Sequence, residues 1–215
     1  MRTKSIPLAW LTTALSLPMA GCGVAEQGQS ASLVRISLLE GASGAKPDQF
    51  GGTLLSDVTT LVIRPADQGG NYFTFYNDIG RVTMALALKD PGSPGVTSTP
   101  SALNAVTFTH YRVAYRRTDG RNVQGVDVPY AFESGLTFSA PPDGTVQVAF
   151  DVVRHTAKQE APLRALAAAG LVGGDFQFIH TIADVTFYGK DQAGKNVAVT
   201  GSMGVTFGNF ADPTN

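Results

Sequence analysis

Apolar and polar residues alternate with a period of two along much of the chain, and this alternation predicts strands. Val34, Ile36 and Leu38 alternate with Arg35 and Ser37. Val82, Met84, Leu86 and Leu88 alternate with Thr83, Ala85, Ala87 and Lys89, and Val146, Val148, Phe150 and Val152 alternate with Gln147, Ala149 and Asp151. Val197, Val199, Met203, Val205 and Phe207 fall on one parity, with Ala198, Thr200, Ser202 and Thr206 on the other. Each segment reads as a strand with one face in a core. Thr53 to Val58, Thr60 to Arg64 and Asn71 to Tyr76 are apolar or aromatic with weaker alternation.

Two long segments change phase. Val106 and Phe108 share one parity, while Tyr111, Val113 and Tyr115 share the other. One extra residue near Thr109 or His110 would swap the faces, so a β-bulge is expected there. Phe176 and Phe178 stand in the same relation to Ala183, Val185 and Phe187. Asp119-Gly120 and Asp143-Gly144 suit turns that need a positive φ. Gly189 to Lys195 reads as a hairpin loop, and Asp90 to Pro100, with three prolines, as a long loop. One helix is expected, starting at Glu160-Ala161-Pro162, with Leu163, Leu166 and Ala167 on its buried face and Gly170 at its end. Eight or nine short-spaced strands and one short helix predict an all-β fold, an immunoglobulin-like β-sandwich in architecture.

The first 21 residues stand outside this pattern. Arg2 and Lys4 precede a mostly apolar run from Ile6 to Leu17, too short for a spanning helix of ~20 residues. Leu17-Pro18-Met19-Ala20-Gly21-Cys22 resembles a bacterial lipobox, and Cys22 is the single cysteine. The resemblance implies cleavage before Cys22, a thioether diacylglycerol on its sulfur and an acyl group on its amine. Residues 1–21 are then a lipoprotein signal peptide, 22–31 a flexible lipid tether and 32–212 the β-domain. Gly23 follows where an aspartate would signal retention, so the outer membrane of the cell envelope is favoured over the inner.

The chain of 215 residues has net charge −1, or −3 once Arg2 and Lys4 leave with the signal peptide. That balance offers no basic stripe for nucleic acid. With its only cysteine lipidated, the mature chain makes no disulfide, so its stability must come from an ordinary core.

Four stretches resemble a group of uncharacterised bacterial lipoproteins of this size. They are Tyr111-Arg112-Val113 with Tyr115, Thr118 to Asn122, Gly125 to Tyr130, and Asp184 to Gly194. The resemblance covers most of residues 33 to 212 and implies no catalytic residues.

Candidate chemistry is sparse. His110, His155 and His180 sit in no metal-binding motif, and Asp119 to Asp127 and Asp184 to Asp191 each offer only two carboxylates for calcium. No Gly-x-Ser-x-Gly elbow occurs; Gly41 to Gly44 and Gly201 to Gly204 are near misses. No cofactor, metal or catalytic residue is expected. The densest feature is basic: Arg112, Arg116, Arg117 and Arg121 in one hairpin beside Tyr111 and Tyr115. Arginine forks suit carboxylate or phosphate, and tyrosine faces suit sugars. Tyr115, Arg116, Arg117 and Arg121 are the candidate contacts for an anionic envelope polymer or a protein partner. The expected function is a lipid-anchored envelope protein acting by binding or as a structural accessory, not an enzyme. The alternative is a carbohydrate-active or other hydrolytic envelope lipoprotein.

Overall fold

The computed structural model describes residues 30–90, 92–169 and 177–210, without the side chains of 168 and 169. The expected signal peptide, Cys22 and most of the expected tether lie outside the described residues, as do Gly170 and Phe176.

The fold is all-β. In chain order the strands are β1 (Ser32–Ala42), β2 (Thr53–Asp57), β3 (Thr60–Val62), β4 (Tyr72–Thr74), β5 (Asp78–Leu88), β6 (Gly92–Ser93), β7 (Val96–Thr97) and β8 (Val106–Arg116). Then follow β9 (Phe132–Ala140), β10 (Thr145–Val153), helices α1 (His155–Lys158) and α2 (Leu163–Ala169), β11 (Ile179–Asp191) and β12 (Asn196–Gly208). Among the described residues no helix is long and apolar enough to cross a membrane.

Eight strands make two main sheets, a three-stranded one ordered β1-β5-β10 and a five-stranded one ordered β2-β12-β11-β8-β9. Neighbours are antiparallel except β2, which runs parallel to β12. The remaining four strands form the two-stranded ribbons β3-β4 and β6-β7. The Pro141-Pro142-Asp143-Gly144 turn, with Gly144 at φ 83°, carries the chain from β9 in one sheet to β10 in the other.

The alternating residues build one core. Val82, Met84, Phe108, Val113, Val185, Phe187 and Phe207 are all fully buried. Phe187 is its hub: its ring meets those of Phe108 and Tyr111 on β8, Phe138 on β9 and Phe150 on β10. The two sheets are also tied by hydrogen bonds. The Tyr115 hydroxyl donates to the Val152 carbonyl at 2.6 Å, and the Asp151 N–H donates to the Tyr111 hydroxyl at 3.1 Å.

The bulge expected near Thr109 is present. Tyr188 faces His110 while Gly189 faces Phe108, so Thr109 is the extra residue. Gly189 is required there, since a Cβ on it would lie 2.3 Å from the Thr107 carbonyl oxygen.

Three expectations need correction. In β1 a second bulge at Ser37 puts Leu38 outside, 45% exposed, and turns Leu39 toward the core in its place. The β11–β12 register is unbroken from Ile179 to Lys190, so no bulge follows Phe178. Phe178 sits on the outer parity because it stacks on Phe210, with ring centroids 5.6 Å apart. Finally there are two helices among the described residues. The extra turn, α1, directly follows β10 and sends Lys158 into the interior.

The strand directions give the domain two poles. Ser32 pairs with Leu88, Val106 with both Ala140 and Asp191, and Asn196 with Lys190. The Ser32 hydroxyl donates to the Asn104 carbonyl at 2.8 Å, which brings these ends of the two sheets together. The described chain begins here, at Ser30, on the side of the expected tether, and this end is named the tether pole. Ala42, Asp78, Arg116, Val153, Ile179 and Gly208 end their strands at the far pole, which also carries α1, α2 and the loop 117–131.

Candidate functional site

The far pole gathers the candidate residues, beginning with the arginines. Strand alternation divides them from the tyrosines, as the sequence predicts. Tyr111 and Tyr115 point into the core, 2% and 6% exposed, so no tyrosine face stands beside the arginines. Burial raises both phenols, Tyr115 far above the ordinary tyrosine range, and for Tyr115 the Asp78 charge adds to the rise.

On the outer face of the five-stranded sheet, Arg112 stands opposite Glu133 of β9, with Nε 3.8 Å from the carboxylate. Arg116 donates from Nε to Asp184 Oδ2 of β11 at 2.7 Å, and Ser202 of β12 donates to the other Asp184 oxygen at 2.5 Å. These links join four neighbouring strands, β9, β8, β11 and β12.

In the loop, Asp119 holds two guanidinium groups. Arg117 donates to it from Nη2 at 2.6 Å and from Nε at 3.0 Å; Arg121 donates from Nη2 at 2.8 Å and from Nε at 3.0 Å. The Arg121 N–H adds a backbone bond, and Gly120, at φ 83°, makes the tight turn between them. The hydrogen bonds from Arg117 and Arg121 hold the Asp119 carboxyl well below the usual carboxylate range. Asp127 accepts from the Val123 N–H at 3.0 Å, Asn122 accepts from the Arg117 N–H at 2.6 Å, and Gln124 accepts from the Ala131 N–H at 3.1 Å. The loop is thus pinned by its own polar side chains. The four arginines are matched by Glu133, Asp184, Asp119 and Asp127, so the local positive patch read from the hairpin alone is charge-balanced in three dimensions.

A consequence is testable by acid. A carboxyl lowered by folding contributes stability above its unfolded pKa of ~3.9, and this is lost as pH falls through the lowered folded value. Loop 117–131 is therefore expected to stay ordered through mildly acidic pH and to loosen only below the ordinary carboxylate range. Asp119→Asn should loosen it already at neutral pH. Amide hydrogen exchange across residues 117–131 checks both; equal protection in the variant and wild type at pH 7 would contradict this account of the loop.

Behind this surface lies a buried ionic group that no sequence motif marks. Lys158 of α1 and Asp78 of β5 are 1% and 0% exposed. Lys158 Nζ donates to Asp78 Oδ1 at 2.8 Å and to the Asp57 carbonyl at 2.7 Å. The Gly44 N–H also donates to Asp78 Oδ1, at 2.8 Å, and Ser56 donates to Oδ2 at 2.5 Å. Burial pushes the Asp78 carboxyl up, and the Lys158 charge with these hydrogen bonds opposes the rise. The Asp57 carboxylate accepts from Thr60 at 2.8 Å and from the Phe210 N–H at 3.1 Å. Together these bonds tie α1, β2, β5 and the residues after β12 at one point. A neighbouring cleft of about 400 Å³ is walled by Phe50, Leu55, Asp57 and Phe210, with Lys46 on its lining.

The histidines do not converge. His110 stacks on Tyr188 with ring centroids 4.9 Å apart, His155 is bonded to Asn77 at 2.8 Å, and His180 to Thr206 at 3.0 Å. Of the calcium candidates, Asp119 and Asp184 are bonded to arginines, and Asp191 caps its own hairpin by accepting from the Ala193 and Lys195 N–H groups at 3.0 and 2.8 Å. Among the described residues no group of three His, Cys, Asp or Glu side chains is gathered that could hold a metal ion. Ser202, from the near-miss glycine motif, is engaged by Asp184.

No family model, curated protein or solved structure matches the chain.

Proposed function

We propose that the protein is a lipid-anchored component of the bacterial cell envelope, held by acyl chains on Cys22. Its immunoglobulin-like β-sandwich works without catalysis, as a binding or structural accessory. The observation that carries this reading is the lipobox-like stretch from Leu17 to Cys22, which places the single cysteine directly after a signal-like segment. One acyl chain anchors only marginally and several anchor stably, at ~0.8 kcal/mol per buried methylene.

The geometry supports a binding role in two ways. The carboxylates that could serve hydrolysis or metal binding are engaged by the chain's own donors, as Asp119, Asp184 and Asp191 illustrate. The pole opposite the tether presents a loop whose arginines and carboxylates alternate in sign, together with the exposed Val123, Val126 and Tyr130. Such a mixed surface suits a protein partner with its own paired charges better than a uniformly anionic polymer.

Replacing Cys22 by Ser tests the anchor. The variant should incorporate no fatty-acid probe in metabolic labelling and should be lost from the membrane fraction. Labelling equal to wild type would overturn the reading.

A further inference from the structure

Exposed apolar side chains occur at both poles of the domain, Val123 and Val126 among them at the far one, but two stand out by their degree of exposure. Leu103 and Val96 are 78% and 75% exposed, more than any other large apolar residue described. Leu103 lies in the 3-10 turn Ala102–Asn104, whose Asn104 carbonyl accepts from Ser32. Val96 lies in the β6-β7 ribbon, which follows β5 directly, and β5 ends at Leu88 opposite Ser32. Leu33, 42% exposed, is the next residue of β1. All three therefore belong to the tether pole.

Ser30, the first described residue, is eight positions after Cys22. Eight residues span at most ~29 Å even when fully extended. An anchor on Cys22 thus keeps this pole within about one domain length of the lipid. Isolated exposed apolar residues are common and need no partner. Here the two most exposed side chains belong to the pole at which the described chain begins.

We infer that the tether pole docks on the membrane surface, with Val96 and Leu103 entering the boundary between headgroups and acyl chains. The occupant is the same lipid leaflet that holds Cys22, so this inference rests on the lipid-anchor reading above. Apolar side chains bind that boundary when they can be buried ~5–10 Å into it. Docking would fix the orientation of the domain and hold loop 117–131 away from the membrane, toward partners in solution.

Tryptophan fluorescence tests this directly. The only tryptophan, Trp10, lies in the segment removed by processing, so one introduced tryptophan is the sole reporter in the mature protein. Val96→Trp, Leu103→Trp and, as the far-pole control, Val123→Trp would be purified lipidated. Each would be reconstituted in phosphatidylethanolamine–phosphatidylglycerol vesicles with brominated acyl chains. The first two should lose on the order of half their emission relative to unbrominated vesicles, because bromine quenches only groups at that depth. Val123→Trp should lose none. If all three float with the vesicles and none is quenched, or if only Val123→Trp is quenched, the docking inference is overturned and the anchor stands. If the protein neither floats with vesicles nor carries acyl mass, the anchor itself fails and docking fails with it.

Discussion

Lys158→Met is expected to cost about 3–5 kcal/mol of folding stability, since removing one partner of a buried ion pair strands the other charge. Asp78 has no exposure to solvent and would keep only the Ser56 hydroxyl and the Gly44 N–H as donors. The Asp57 carbonyl would lose the Lys158 ammonium as well. A domain of this size has a total stability of only ~5–15 kcal/mol, so the variant should be close to unfolding at physiological temperature. Lys158→Met combined with Asp78→Asn should recover much of the loss, because the amide oxygen can accept from the Gly44 N–H while its NH2 donates to the Ser56 hydroxyl, and no charge is stranded. Urea unfolding followed by far-UV circular dichroism measures both. A loss below ~1 kcal/mol for the single variant would mean that water reaches Asp78 and that the pair does not hold the pole.

Phe187→Ala should be comparably damaging. Phe187 is wholly buried, and four rings surround it, with centroids 5.3 Å away for Phe150, 5.9 Å for Tyr111, 6.1 Å for Phe138 and 6.5 Å for Phe108. Those rings come from three strands of both sheets, so the cavity cannot close by the shift of one neighbour. Substitutions of this kind cost ~3–5 kcal/mol through lost transfer energy and the cavity that remains. Equilibrium unfolding of the variant checks the value. A loss under ~1 kcal/mol would contradict the placement of Phe187 at the centre of the core.

The regular strands were legible because their cause is local. A strand with one buried face must alternate, and Val82 to Leu88 and Val197 to Phe207 do so without a break that misleads. The Thr109 bulge was legible for the same reason, since Phe108 and Tyr111 cannot both face the core unless one residue is added. The Ser37 bulge was hidden: Leu38 has the right parity after Ile36, and only pairing with Thr83 shows that it faces out. Phe178 misled in the opposite sense, because an exposed aromatic stacked on Phe210 imitates a core position.

At the candidate site the residues were legible but their balance was not. Arg112 to Arg121 are adjacent in sequence, while Glu133 and Asp184, which neutralise two of them, come from other strands. Tyr115 was placed correctly on the face opposite Arg116, which also removes it from any surface contact. The Lys158–Asp78 pair left no trace in the sequence, since its members are 80 residues apart and single charged residues ordinarily read as exposed. Asp143-Gly144 announced a turn, but nothing local distinguishes a hairpin from a passage between two sheets.

The central claim, that Cys22 anchors this domain to a membrane, is tested most directly by the intact mass of the protein extracted from native membranes. The account predicts a chain that begins at Cys22, 194 of the 215 residues, carrying the added mass of a diacylglycerol and an amide-linked acyl chain. A chain that begins elsewhere, or one that begins at Cys22 with a free thiol and no acyl mass, would contradict it.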